Sequence, residues 1–440
     1  MSLYFTAFIR FGLAVGISAV LPSAFSADVS SFESAFAKVQ NYQTQTDIWQ
    51  QQQQISDFNI QQSKLWQNPS LSIEQTGFGS DQDRELSIGI SQPLDIFGQR
   101  KINQALAKIS EQQIQLQQQL WNAQSRLIVK FAWSQLAIAQ KEQLIYAAQL
   151  KLSKANLDSA QKRYQAGSIA LVDVERAEIE SLDIQRLYQQ AVLKQQTAAR
   201  QLSNLWGETA APIQLDTAAV NWPEQIQGLV QHNLSEGWLD KLYALNIQQA
   251  NQQIEHLKVQ ARPSPTLNVG MTRTKSPAEA DDTALALGVD IPLNIFNRQQ
   301  YAIPMAKKQQ ILLNHQQQRE LKQHIEDIAS SIHQLKGLRT QFDAAASQIG
   351  LAEKIQSRTL QGFQAGKFAI TEVQQTTKQL QDIRLSQVQI LAQAWQNALS
   401  AEALSIGTSY EEISRSDAFS QLNKKAIEAS QNLISTALGQ

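Results

Sequence analysis

An internal repeat constrains this sequence more than any other feature. Residues 85–108 align without gaps to residues 284–307 at an offset of 199 positions, and residues 163–174 align to residues 362–373 at the same offset. Chance similarity between glutamine-rich helices does not keep one register over this length. The chain is therefore predicted to contain two copies of one unit. The first pair of segments is identical at the positions of Leu86, Gly89, Pro93, Leu94, Ile96, Phe97, Ala107 and Lys108.

Alternating apolar and polar residues predict one β-hairpin in each unit, over residues 68–92 and 264–291. A polar loop separates the two strands, and Pro93 and Pro292 close the hairpins because proline cannot extend an interior ladder. Four strands are too few for a closed barrel and leave exposed edges. Several chains must then pool their strands, and a membrane barrel satisfies every backbone group. The alternating apolar positions include Leu71, Ile73, Ile88, Ile90, Leu267, Val269, Met271, Leu285, Leu287 and Val289.

A long helix is predicted to follow each hairpin. No proline or glycine stands between Gly98 and Gly167, and apolar residues recur there every three or four positions. At 1.5 Å per residue such a helix is roughly 100 Å long. The other helical stretches are shorter, so we expect them to stack in pairs: 168–206 with 235–261 beside the first long helix, and 29–66 with 367–406 beside the second.

The N-terminus has the pattern of an export signal. Arg10 precedes an apolar run that ends at Leu21, Pro22 breaks the run, and Ala24 and Ser26 supply the small residues that a signal peptidase reads. A retained membrane anchor is the alternative, but the run is short for about 30 Å of hydrocarbon. The sequence therefore predicts a signal peptide at residues 1–26.

Composition excludes several classes of function. The net charge of −1 offers no basic surface for nucleic acid, and the chain has no cysteine for thiol chemistry or zinc. His315, His324 and His333 are spaced by nine residues, so consecutive ones face opposite sides of a helix. We therefore predict no catalytic residues, no metal site and no cofactor.

Two matching turn motifs identify a family. Arg163-Tyr164-Gln165-Ala166-Gly167 is followed by Asp173-Val174, and Phe363-Gln364-Ala365-Gly366 is followed by Glu372-Val373. With the duplicated hairpins and long helices, these motifs make the chain resemble the TolC-type outer-membrane factor family over nearly its whole exported length. The segments NPSLSIEQ and SQPLDIFGQRK resemble the branch that serves heavy-metal pumps of the cobalt–zinc–cadmium type.

The resemblance implies a mainly α fold with a small β part. Long helical hairpins would form a periplasmic tunnel, and a homotrimer would combine its strands in a twelve-stranded transmembrane barrel surrounded by outer-membrane lipid. The predicted domains are a first repeat at 27–234 and a second at 235–440. Their tip turns and mid-height (equatorial) segments are predicted at 163–168, 207–234, 362–367 and 407–440.

The resemblance also implies functional positions. Asp173 and Glu372 would help constrict the tunnel mouth, with Gln375 standing where the family often has a second acid. Three chains would place six carboxylates near the mouth, although a single exposed carboxylate is by itself most often a solvated helix face. Glycine at a turn permits positive φ and close approach of another backbone. The tips that would contact a periplasmic adaptor are Arg163, Tyr164, Ala166, Gly167, Phe363, Ala365 and Gly366.

The function that follows is a passive outer-membrane duct, not an enzyme. It would work with a periplasmic adaptor and an inner-membrane resistance-nodulation-division transporter, and would export divalent heavy-metal cations. An outlet for drugs or for type I secretion is the alternative within the same class. A secreted coiled-coil structural protein is the alternative of another class, which leaves the duplicated hairpins unexplained.

Overall fold

The computed structural model describes residues 31–44, 48–78, 83–208, 213, 215, 221–276 and 280–438. The predicted signal peptide lies outside these ranges, as does part of the first equatorial segment. The helices are α1 Phe32–Thr44, α2 Ile48–Ser63, α3 Gln99–Gln165, α4 Leu171–Asn204, α5 Ile226–Glu236, α6 Trp238–Gln260, α7 Ala302–Gln364, α8 Ile370–Ser405, α9 Tyr410–Ser414 and α10 Ala418–Leu438. The strands are β1 Ser70–Thr76, β2 Arg84–Pro93, β3 Thr266–Lys275 and β4 Asp282–Asp290.

The predicted fold class, mainly α with a small β part, is confirmed. The two longest helices, α3 with 67 residues and α7 with 63, each extend roughly 100 Å. Pro304 lies in the first turn of α7, where the missing N–H breaks no hydrogen bond within the helix. None of the helices in the described ranges is both long and apolar enough to cross a membrane.

The helices form a layer of two neighbouring hairpins. α3 packs along α4 on one side and along α8 on the other, and α8 packs along α7. Nearer the sheet, α6 lies between α3 and α7. We expected residues 29–66 beside the second long helix, and within a single chain this is wrong, because α2 packs against α3. The reason is connectivity: α2 leads into β1, and β1 pairs with the strand that leads into α3.

The two hairpins join in one antiparallel sheet of order β1-β2-β3-β4. The central pairing, β2 with β3, aligns Ile90 with Val269 and Gly89 with Gly270. Because side chains alternate between the faces of a strand, one face carries the apolar residues and the other carries small and polar ones. Exposed apolar side chains on the first face are Leu71, Ile73, Ile88, Ile90, Val269, Met271, Leu285 and Leu287.

The main hydrophobic core lies at mid-height of the helical layer, where α1, α9 and α10 cover α3, α4 and α8. Trp133 and Trp206 are buried there together with leucines of the long helices. One ion pair is enclosed in this region, because Lys130 Nζ of α3 lies 2.6 Å from Glu402 Oε2 of α8. Both side chains are largely buried, so this pair ties the two hairpins together through a poorly solvated contact.

Candidate functional site

The turn between α3 and α4 ends the first long helix with a left-handed glycine. Gly167 has φ 70°, and its N–H donates to the Tyr164 carbonyl at 2.9 Å. The Ser168 N–H donates to the Arg163 carbonyl at 2.8 Å. These two bonds are the Schellman pattern, which satisfies carbonyls that a helix end leaves without partners. The polypeptide chain therefore reverses direction within a few residues, at the end of the molecule far from the sheet.

The turn between α7 and α8 repeats this geometry. Gly366 has φ 75° and its N–H donates to the Phe363 carbonyl at 2.9 Å. The Lys367 N–H donates to the Gly362 carbonyl at 2.8 Å. Repeated sequence thus becomes repeated backbone structure, and each glycine occupies a conformation that costs an L-residue about 1–2 kcal/mol.

A cation–π contact joins the two turns. The Arg163 guanidinium carbon lies 4.2 Å from the centre of the Phe363 ring. Phe363 is buried and packs with Ile370 and Val373 of α8. Its ring is therefore part of the tip's small core, and a partner protein would meet Arg163 above it rather than the ring itself.

The other predicted tip residues lie on the surface. Tyr164, Ala166 and Gly167 are exposed on the first turn, and Ala365 and Gly366 are exposed on the second. A Cβ added at Gly167 would meet no atom within 4 Å. The tips therefore present backbone and small side chains that a second backbone can approach closely.

The predicted gate acids occupy the first turns of the return helices. Asp173 is in the first turn of α4 and Glu372 in the first turn of α8, where a carboxylate interacts favourably with the helix dipole. Asp173 also lies 3.6 Å from the Arg176 guanidinium and is partly buried. Glu372 and Gln375 are exposed. The two acids thus share a position in the repeat and differ in how strongly their charge is compensated.

Sequence reasoning missed Glu180. This α4 carboxyl is partly buried, and the burial raises its pKa above the usual glutamate range despite a hydrogen bond with Gln374 and the nearby Lys378 of α8. Ala177 and Ser181, on neighbouring turns of α4, are buried. Small residues at this helical spacing mark the packed face of α4, and a glutamate at the border of that face was the signal available in the sequence. Glu180 is a polar link between the two hairpins close to the tips.

Metal-binding geometry is not found in the described part of the chain. Within those ranges no three histidine, aspartate or glutamate side chains converge on a point that could hold an ion. The tip contains positive-φ turns, a cation–π pair and carboxylates at helix starts. This arrangement can bind a protein surface or influence passing ions.

A helical layer roughly 100 Å long, with a four-stranded sheet at one end and paired tight turns at the other, is the architecture of outer-membrane channel proteins. A profile of the outer membrane efflux protein family matches residues 32–208 and 242–405. The chain belongs to this family. It is an outer-membrane protein that extends into the periplasm and serves transport rather than catalysis, as the sequence predicted.

Comparison with known proteins finds a similar sequence in CzcC and similar folds in VceC and CusC. The cobalt-zinc-cadmium resistance protein CzcC of Cupriavidus metallidurans is 24% identical over 366 residues, which are 78% of this chain and 82% of that protein. The outer membrane protein VceC of Vibrio cholerae superposes with a TM-score of 0.66 at 15% identity, covering 86% of this chain and 96% of VceC. CusC superposes with a TM-score of 0.65 at 15% identity, covering 87% and 93%. At these identities the two structures establish the shared fold.

Proposed function

We propose that this chain is the passive exit duct of a three-part efflux pump that exports divalent heavy-metal cations. The observation that carries this choice of cargo is the similarity to CzcC over 78% of the chain. An inner-membrane transporter of the resistance-nodulation-division type would select the cargo, and a periplasmic adaptor would connect it to the duct. A duct must release its cargo readily, so a tight metal site would hinder conduction.

The proposed assembly is a homotrimer. β1 and β4 are the outer strands of the sheet, and three chains with four strands each would supply twelve. The outer helices of the layer, α4 and α7, also leave apolar residues uncovered. Closing three such layers into a ring would cover these side chains and would pair the free strand edges. The uncovered residues on α4 and α7 include Ile179, Leu182, Leu193, Leu312, Ile325 and Leu351.

The proposed adaptor surface consists of the two tip turns. Ala166, Gly167, Ala365 and Gly366 provide surface without bulky side chains, and Tyr164 stands beside them. Arg163 and Phe363 keep the turns together through their 4.2 Å contact. A helical hairpin of the adaptor could approach such a surface closely, and any large side chain introduced there would separate the two proteins.

The proposed gate lies just behind the tips. In a trimer, Asp173 and Glu372 would place six carboxylates around the mouth of the tunnel. Rings of charge attract counter-ions, so this mouth would favour cations. Glu372 would contribute more than Asp173, because Arg176 compensates part of the Asp173 charge.

Deleting the gene and measuring growth tests the cargo. We expect the deletion strain to tolerate less zinc, cadmium or cobalt and to accumulate more of that metal, while its tolerance of drugs is unchanged. The wild-type gene should restore tolerance. A strain sensitive to drugs and not to metals would contradict the cargo and leave the duct itself in place.

A further inference from the structure

The two repeats pair their strands in the same register. Pro69, Leu71 and Ile73 of the first repeat match Pro265, Leu267 and Val269 of the second at an offset of 196, whereas the second strands match at 199. In the first hairpin Ser70 faces Ser91. Adding the two offsets gives Thr266 facing Asp290, which is the pairing found in the second hairpin.

The chain contains one complete junction between repeats. β2 of the first repeat pairs with β3 of the second, and the Leu94 N–H donates to the Pro265 carbonyl at 2.9 Å. Just beyond the strands, the Arg262 guanidinium carbon lies 5.2 Å from the centre of the Phe97 ring. This junction therefore has two parts: a fixed strand register and a covered aromatic ring.

The corresponding surfaces beside the two edge strands of the sheet, β1 and β4, are uncovered in the single chain. Phe296 matches Phe97 at the offset of 199, and its side chain is 91% exposed. Trp66 matches Arg262 at the offset of 196, and it is 60% exposed. One face of the Trp66 indole is already held by Arg100, whose guanidinium carbon lies 4.1 Å from the ring centre. The other face is available to a further partner.

We infer that the internal junction is the template for the contact between copies, so that β4 of one copy pairs with β1 of the next in a defined register. This inference rests on the proposed assembly. Inside the chain Ser91 faces Asn268. Position 91 plus 199 is Asp290, and position 268 minus 196 is Ser72, so Asp290 faces Ser72 of the next copy. Phe296 then packs against Trp66 of the next copy.

The apolar face of the sheet agrees with this register. The same arithmetic places Val289 opposite Ile73 of the next copy and Ile291 opposite Leu71 of the next copy. All four side chains are more than half exposed in the single chain. A shift by one residue would set this apolar row against Ser72 and the other polar positions. The register therefore continues the apolar face across the boundary between copies.

The pairs on the small-residue face are close enough for a disulfide. Leu94 and Pro265 face each other and share a hydrogen bond, so alternate pairs such as Ser91 with Asn268 are non-hydrogen-bonded. Facing Cα atoms in such pairs are about 4.5 Å apart, which lies within the range that disulfides span. By the template, Asp290 with Ser72 and Ala286 with Thr76 are pairs of this kind.

Cysteine pairs in the full-length chain test the register, and the wild-type sequence contains no cysteine to interfere. After mild oxidation in membranes, Ser72→Cys with Asp290→Cys should give chains linked to one another, and so should Thr76→Cys with Ala286→Cys. The second pair leaves intact the hydrogen bond from Asn268 to Asp290. β1 and β4 are separated by two strands of the same sheet, so links within one chain are out of reach.

The matched controls exchange partners among the same four positions. Ser72→Cys with Ala286→Cys, and Thr76→Cys with Asp290→Cys, are four residues out of register, or roughly 13 Å apart along the strand. We expect no links from these pairs. Links from the exchanged pairs, or from none of the four variants while the trimer persists, would overturn the register and leave the proposed trimer intact. A cysteine-free chain that is not a trimer would overturn both.

The aromatic contact has its own matched control. Phe296→Ala should lower the temperature at which the trimer dissociates on a gel. Ile295→Ala should not, because its counterpart Ile96 remains 59% exposed beside the complete internal junction. Equal effects of the two substitutions would overturn the contact between Phe296 and Trp66 of the next copy.

Discussion

Single side chains near the tips show how duplicated positions come to differ. Arg163 of the first repeat corresponds to Gly362 of the second at the offset of 199. Arg163 reaches across to Phe363, whereas a Cβ at Gly362 would lie 2.3 Å from the Phe368 ring. The two turns have the same backbone conformation but different side chains at this position. In the first turn Arg163 supplies the cation that joins the turns, and in the second the absence of a side chain at Gly362 leaves space for the Phe368 ring.

The gate acids are expected to differ in strength. Replacing Glu372 with Gln should weaken divalent-cation block of single channels in planar bilayers and reduce cation preference, because a ring of exposed carboxylates is lost. Asp173→Asn should have the smaller effect, since Arg176 already lies 3.6 Å from that carboxylate. Channels of the double variant that match wild type in block and selectivity would remove both residues from the gate.

Glu180 should make stability depend on pH. Burial raises its pKa, so the folded chain holds the proton more tightly than the unfolded chain does. Ionising Glu180 therefore reduces the free energy of unfolding. This cost is absent below the usual glutamate pKa, grows as the pH rises towards the shifted value, and is complete above it.

Glu180→Gln removes that cost. The variant should unfold at a higher temperature than wild type at about pH 8, and the difference should vanish at about pH 4. Circular dichroism of the helices follows the transition. Glu178→Gln, at an exposed position of the same helix, is the control. A Glu180→Gln advantage that is the same at both pH values would contradict a role for ionisation.

At the scale of elements, each turn and each helix pair has a separable role. The turns end the helices with glycines at φ 70° and 75°, and they also form the proposed adaptor surface. The mid-height contact between α3 and α8 contains the Lys130–Glu402 pair within an apolar core. Changes at the turns should therefore affect transport, and changes at mid-height should affect stability.

Gly167→Trp or Gly366→Trp should abolish efflux and leave assembly and membrane insertion unchanged. A bulky side chain at the tip prevents close backbone packing with the adaptor, and the tip is far from the sheet. Metal tolerance of cells and the oligomer on a gel provide the two measurements. Gly237→Trp is the matched control, because Gly237 is also left-handed, a Cβ there would meet no atom closer than 3.8 Å, and it lies between α5 and α6 rather than at a tip turn. Full tolerance in both tip variants at normal expression would reject docking at the tips.

Lys130→Met should destabilise the chain by about 3–5 kcal/mol, because it leaves the Glu402 carboxylate buried without its partner. The double variant Lys130→Met with Glu402→Leu should recover most of this loss, since no buried charge remains. Denaturant unfolding of the purified protein measures the free energies of the double variant and of both single variants, Lys130→Met and Glu402→Leu. If the double variant loses as much stability as the two single variants added together, the ion pair contributes little as a pair.

At the scale of the whole molecule, the two ends are predicted to face different compartments. The sheet lies at one end and the tips at the other, separated by helices roughly 100 Å long. Because the family resides in the outer membrane, the hairpin loops are predicted to face the exterior and the tips the periplasm. The predicted external loops are residues 76–84 and 273–283, of which Ser80 lies outside the described ranges and Ala280 is exposed within them.

Cysteine labelling on whole cells checks this orientation. A cysteine at Ala280 should react with a thiol reagent that cannot cross membranes. A cysteine at Ser168, exposed on the first tip, should react only after the outer membrane is opened. Labelling of the tip cysteine in intact cells, or of the loop cysteine only in opened cells, would contradict the predicted orientation.

The sequence alone was sufficient for the parts of this protein that depend on local pattern. The offset of 199, the alternation in the strands and the long interval without glycine or proline predicted the duplication, the hairpins and the long helices. The turn motifs predicted the family, since each glycine is needed where the backbone is left-handed. These properties depend on residues that are close together in the sequence, so they could be predicted without knowing which distant residues are in contact.

Only the tertiary structure decided which elements lie side by side. It paired β2 with β3, placed α2 against α3 rather than α7, and brought Arg163 over Phe363. It also buried Lys130 with Glu402 and put Glu180 next to α8. Such contacts join residues that are far apart in the chain. A helix with apolar residues on more than one face can pack against more than one neighbour. The choice depends on the packing of all helices and strands together, which local periodicity does not specify.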